Sequence, residues 1–216
     1  MRLLLILLLA CWWPAASSAE PFIEVAGGAT YFKQYKSDGG RWYQEAFPWS
    51  ADLKSSSWRI GYGGRINDKW FWTLSWLEIG KNSVVSKAVG DEEYDPVNYR
   101  CMARCDNPDS LWVSGWGRGP ELAFRRQFEN VYLRTGAFLW INTLHVRVEH
   151  SFGITEDFYK TGYMLAPFLG AGFRYKLKPV ELFAEVTYYH GIGSGGKSYP
   201  ISRWATVPMA GVSVAF

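Results

Sequence analysis

The chain has 216 residues, 48% of them apolar and 18% aromatic with 12 tryptophans, and a formal net charge of +3. That length suits one domain, and a charge so close to balance excludes a nucleic-acid surface built on net basicity. Nowhere does the sequence hold 18 consecutive apolar residues, so any membrane crossing must be made by strands rather than helices.

The opening "MRLLLILLLACWWPAASSAE" places Arg2 before an apolar run from Leu3 to Ala10, followed by small residues up to Ala19. This is the layout of a secretory signal cleaved after Ala19, with residues 1–19 as signal peptide and 20–216 as a single barrel domain. A rival reading takes "LLAC" as a lipoprotein signal with Cys11 lipidated, although Leu9 fits poorly before Ala10. In an exported chain, Cys101 and Cys105 of "CMARC" are expected to form a short local disulfide. Two thiolates without a nearby histidine do not complete a zinc shell, and the spacing differs from the C-x-x-C of redox and haem motifs. No metal or other cofactor is expected.

Strands follow in order. "FIEVAGGATYF" alternates, with Ile23, Val25 and Tyr31 on one face and Glu24 and Thr30 on the other. A polar, aromatic stretch from Lys33 to Ser57 leads to "WRIGYGGRI", the turn residues "NDK", and "WFWTLSW". A long polar connection from Gly80 to Ser110 precedes a fourth strand within residues 111–128. A turn at Glu129 and Asn130 opens "VYLRTGAFLWINTLHVRVE", and "HSFGITEDFYKTG" is expected to be a loop. "YMLAPFLGAGFRYKL", a turn at Lys178 and Pro179, and "VELFAEVTYYH" make two more strands. "GIGSGGKSYPISRW" is a Gly- and Ser-rich loop, and "MAGVSVAF" belongs to the eighth strand. Long connections alternate with short ones. The expected fold is all-β: an eight-stranded antiparallel up-and-down transmembrane barrel with short periplasmic turns and long external loops. Its last strand pairs back to its first, because an open edge is not satisfied in lipid.

The faces agree with that architecture. The apolar set faces lipid, while Glu24, Arg59, Arg65, Glu121, Arg125, Arg134, Arg174, Glu181 and Glu185 take the inward parity. The apolar parity of the fifth strand switches from Leu139 and Ile141 to Leu144 and Val146. A β-bulge at Asn142–Thr143 explains the switch, and it also brings Arg147 and Glu149 inside. Six arginines against five glutamates predict a paired charge network rather than a charged pore. Inward glycines such as Gly61, Gly170 and Gly172 leave room for the long side chains, since an eight-stranded barrel is only wide enough to be filled by side chains.

"GYGGRINDKWFWTLSWLEIG" resembles the second and third strands of the family built on the transmembrane domain of outer-membrane protein A. "ENVYLRTGAFLW" is similar to that family's fifth strand and "LGAGFRYKL" to its sixth. "GVSVAF", through Gly211, Val214 and Phe216, matches the barrel-closing signal read by the outer-membrane assembly machinery. The resemblance implies a monomeric bacterial outer-membrane protein that meets outer-membrane lipids, including lipopolysaccharide. The expected role is structural or surface-interacting, without a channel.

Two other classes bear on the same residues, the first through resemblance to barrel enzymes that edit lipid A. A lipid A acyl hydrolase of this shape carries a histidine with a serine two residues on, but Ile192 follows His190 at that spacing and no Asp or Glu lies between 191 and 216. Ser194 would serve as nucleophile only if its loop folds back, and His150, Ser151 and Glu156 form another rim trio with neighbours pointing apart. His190 and His150 are therefore expected to be rim residues, His145 an interior partner of the charge network, and no residue catalytic. An adhesin or surface-binding protein would use the loop aromatics Trp42, Tyr43, Phe47, Trp49, Tyr94, Tyr99 and Phe158.

Overall fold

Period-two alternation of β-branched, aromatic and small residues makes each segment a strand with one apolar and one polar face. The computed structural model describes residues 20–33, 49–87, 110–149, 155–177, 179–192 and 204–216. Within them run β1 (Phe22–Lys33), β2 (Trp49–Asp52), β3 (Lys54–Arg65), β4 (Trp70–Lys87), β5 (Ser110–Phe128), β6 (Val131–Glu149), β7 (Thr155–Leu177), β8 (Val180–His190) and β9 (Trp204–Ala215). β2 and β3 are one barrel strand interrupted at Leu53, since β2 pairs with the far end of β4 and β3 with its near end. Eight antiparallel strands thus surround one lumen.

Two pairings close the sheet: β4 with β5, and β1 with β9. The β1–β9 seam runs from Phe22↔Ala215 to Lys33↔Trp204. Over the span of β1, β8 and β9 the strands are paired on both sides, as a hydrocarbon environment requires. The turns at 66–69 and 129–130 and the start of β1 lie at one end, the short-turn end. The exterior is apolar: Ile23, Val25, Ile60, Leu74, Leu122, Leu133, Leu165, Leu169, Val186, Val212 and Val214 are each 40–63% exposed. So wide an apolar surface is the kind a membrane, not water, accommodates.

The strands are longer at the far end than their sequence suggested. β4 continues to Lys87 and β5 begins at Ser110. Most of the segment read as a loop, "HSFGITEDFYKTG", is strand: β7 starts at Thr155, paired with Glu149. Alternation fails to mark these extensions because above an apolar band neither face needs to be apolar.

A bulge exists, but not where the sequence placed it. In β4 the register shifts between Glu78 and Gly80, and Gly80 takes a φ of 77°. This left-handed conformation favours glycine. The inward parity passes there from Leu77 and Ile79 to Asn82. β6, by contrast, pairs with β7 without interruption from Val131↔Phe173 to Glu149↔Thr155. No bulge forms at Asn142–Thr143, so Leu144 is buried inside and Arg147 and Glu149 stay on the outward parity. The switch in apolar parity marks the level at which the outer face becomes polar.

Candidate functional site: a charged lumen, an aromatic roof and the outer rim

Inward positions nearest the short-turn end carry charge. Glu24 comes from β1, Arg59 from β3, Glu121 and Arg125 from β5, Arg134 from β6, Arg174 from β7 and Glu185 from β8, and all are at most 5% exposed. Half-buried Glu181 completes a set of four cations and four anions.

Glu185 and Glu121 are the central acceptors. Arg59 donates to Glu185 Oε1 at 2.6 Å and Arg134 at 2.8 Å, while the Tyr132 hydroxyl donates to Oε2 at 2.7 Å. Glu121 accepts from Arg134 at 2.5 Å, from Ser75 at 2.9 Å and from the Tyr189 hydroxyl at 2.5 Å. Nearer the turns, Arg174 bridges Glu24 at 3.0 Å and Glu181 at 2.5 Å. Arg59 and Arg125 lie 3.3 and 3.7 Å from Glu24. Ring faces complete the cation contacts: Arg125 lies 4.6 Å from the Phe71 centroid and Arg134 4.9 Å from Phe168. A Cβ at Gly170 would come within 3.1 Å of the Arg134 side chain, so the glycine makes room for the guanidinium's stem.

Above the charges the lumen is mainly apolar, with Thr30, Asn82 and Asn142 buried among the rings and aliphatic side chains. Phe32, Leu77, Ile79, Phe138, Trp140, Met164, Ala166, Phe168, Ala205 and Val207 form one buried cluster. Phe138 packs edge-on to Tyr189 at 5.6 Å and tilted against Trp140 at 6.1 Å, and Trp140 meets Phe32 at 6.4 Å. Tyr189 joins the two layers, its ring in the roof and its hydroxyl on Glu121.

Sequence reading missed this roof and the hydroxyl donors Ser75, Tyr132 and Tyr189. They share the inward parity of the charges, but parity alone does not separate a layer of rings from a layer of ions.

Four residues placed in the network by sequence lie elsewhere. Arg65 pairs with Asp68 and donates to the Asn67 carbonyl in the short turn, because it stands at the last position of β3 where the lumen opens. Arg147 and Glu149 sit on the outward parity because no bulge turns them in; the Arg147 guanidinium lies 5.6 Å from the Trp112 ring. His145 is likewise outward: its Nε2 is 2.7 Å from Asp157 Oδ1, and its ring stacks on Tyr159 at 4.4 Å.

On the rim, His190 lies tilted against Trp204 with ring centroids 3.6 Å apart, and Ile192 is exposed, its N–H donating to the Leu165 carbonyl. Ser114 stands opposite His145 in register, but no hydrogen bond joins them. Among the described residues, no group of three His, Cys, Asp or Glu side chains could hold a metal ion. Cys101, Cys105, His150, Ser151 and Ser194 fall outside the described residues, as do the loop aromatics other than Trp49 and Phe158. Gly211 and Val214 lie in β9, and the Phe216 N–H donates to the Pro21 carbonyl across the closing seam at 3.1 Å.

No protein-family model matches the sequence, and no curated protein matches it. Solved structures do resemble it. One is Ail, the attachment invasion locus protein of Yersinia pestis, solved in complex with the heparin analogue sucrose octasulfate. It is 16% identical with a TM-score of 0.44, covering 93% of this chain and 100% of that one. Neisserial surface protein A is 18% identical with a TM-score of 0.40, over 93% and 100% of the two chains. The outer membrane protease OmpT from Escherichia coli is 10% identical with a TM-score of 0.42, over 94% and 99%. The likeness is one of fold: an all-antiparallel closed barrel.

Proposed function

We propose that the protein is a bacterial outer-membrane barrel with a closed lumen, acting as an envelope component and a surface for interaction rather than as a channel or an enzyme. One observation carries the reading: a charge-balanced, buried ion network lies under a continuous aromatic and aliphatic roof. A conducting path needs mobile water along its length, and side chains buried against one another in both layers support its absence. The apolar exterior supports the membrane setting, with outer-membrane lipids, lipopolysaccharide included, as its surroundings and a monomer as its working form. Ile192 at the spacing where a hydrolase of this shape carries its serine, and His190 lying against Trp204, support the reading without an enzyme.

The full chain refolded into planar bilayers is expected to give no stepwise conductance, and in lipid A micelles to release no acyl chain. Steady unitary currents overturn the closed lumen, and acyl release that disappears in His190→Ala or His150→Ala overturns the non-enzymatic reading.

The resemblance of Gly211, Val214 and Phe216 to an assembly signal supports a second expectation. Phe216→Asp lowers the outer-membrane level of the protein several-fold while refolding into detergent still succeeds. The ring is 68% exposed on the barrel wall, so its loss removes only a fraction of the roughly 1.5–3 kcal/mol of a buried aromatic. Cell fractionation and heat-shifted gel mobility read the two effects separately, and wild-type outer-membrane levels of the variant sink the assignment.

A further inference from the structure

From the outer wall of β4 and β5 we infer a binding site for the phosphorylated headgroup of lipid A, formed by Lys81 and Arg118 on either side of Trp116. It rests on the membrane setting proposed above and adds a ligand to that wall. Three observations meet there.

The first is height. Phe128, exposed at the short-turn end of β5, and Arg118 are both on the outward parity, ten positions apart. A strand rising 3.3 Å per residue and tilted by about 40° climbs about 2.5 Å per residue, so Arg118 stands about 25 Å above Phe128. That is the height of the apolar band of such barrels. Arg118 and its neighbours therefore lie where acyl chains end and headgroups begin. Between them the outward positions are Arg126, whose cation lies over Trp70 and Phe128 at the short-turn end, and then Phe124, Leu122 and Pro120.

The second is arrangement. Lys81 is directly opposite Trp116 in register, and the Arg118 guanidinium lies 4.5 Å over the Trp116 ring. Glu78, half-buried, stands opposite Arg118, yet no carboxylate among the described residues is within ion-pair distance of either cation. A guanidinium resting over an indole without a carboxylate partner has N–H donors for another acceptor, and phosphate is the planar fork's natural partner.

The third is complementarity of both halves of the ligand. Below the cations the wall is aliphatic and aromatic, with Trp76, Leu74 and Leu122 exposed for acyl chains. A lipid bearing both phosphate and acyl chains fills this surface; free phosphate would use only its top.

The test uses the full refolded chain in neutral detergent with bis-phosphorylated lipid A as probe. Lys81→Gln/Arg118→Gln is expected to bind at least about tenfold more weakly, the loss of one or two charge-assisted hydrogen bonds. Arg126→Gln, whose cation lies over Trp70 and Phe128 at the opposite rim, is expected to bind like wild type. Dephosphorylated lipid A is expected to bind wild type as weakly as the double variant binds the phosphorylated form, and inorganic phosphate to compete poorly. Both substituted side chains point outward, and heat-shifted gel mobility confirms the folded barrel. Equal binding by wild type and the double variant overturns the site, and so does equal binding of phosphatidylglycerol, which would make the wall a general anionic surface. A wild-type barrel that conducts yet shows the lipid A difference overturns only the closed lumen.

Discussion

Replacing Glu185 with alanine is expected to destabilise the barrel by about 3–5 kcal/mol, the range for removing one partner of a buried ion pair. Glu185 accepts from Arg59, Arg134 and Tyr132 at once. Without it two buried guanidiniums face each other, Arg134 keeping only Glu121, which also serves Ser75 and Tyr189, and Arg59 keeping Glu24, which also serves Arg174, with Glu121 more distant at 3.9 Å. Denaturant unfolding in phospholipid micelles, followed by tryptophan fluorescence, measures the loss. The variant Arg59→Met/Glu185→Leu is expected to cost less than the two single substitutions added together, because removing both charges leaves neither uncompensated. An additive pair, or a Glu185→Ala loss under about 1 kcal/mol, a surface-pair value, would mean that the lumen is wet and the network screened.

Arginine on the outer wall is expected to be tolerated by depth. Leu122 lies about midway between Phe128 and Arg118 and is flanked in register by Leu74 and Ala137. Leu122→Arg is expected to cost about 2–4 kcal/mol in a bilayer, the penalty for a cation at the midplane of a transmembrane barrel. Thr161→Arg, outward on β7 opposite Thr143, is expected to cost about 0–1 kcal/mol, as near an interface. Equilibrium folding into vesicles reads both. If the two positions behave alike, the exposed aliphatic wall is not facing lipid.

The alternation of "FIEVAGG" or "WFWTLSW" states which side chains share a face, and the rhythm of turn residues states how many strands there are. Both follow from the two-residue period of an extended chain, a property of the local backbone. For that reason Glu24, Arg59, Glu121, Arg125, Arg134, Arg174 and Glu185 were legible as an inward set. Parity carries no height, however. It could not tell that the charges gather near the short turns and the rings of Phe138, Trp140 and Phe168 above them.

The misplacement of Arg147, Glu149 and His145 has the same origin. Sequence reading took the outward side to be the apolar side along the whole of β6. In the barrel that equation holds only across the apolar band; beyond it Leu144 faces inward and is buried, and His145 meets Asp157 on the outer wall. The bulge in β4 was hidden for a related reason, since Gly80 in "EIGKN" reads equally as the start of a loop. By itself the sequence determined the strand number, the closing partner of the last strand and the charge balance of the lumen, because these depend on period and composition. Which ions meet which, what packs above them and where the outer wall turns polar were decided by the tertiary structure. Those depend on strand register and on distance from the bilayer's midplane, which arise only when all eight strands are paired.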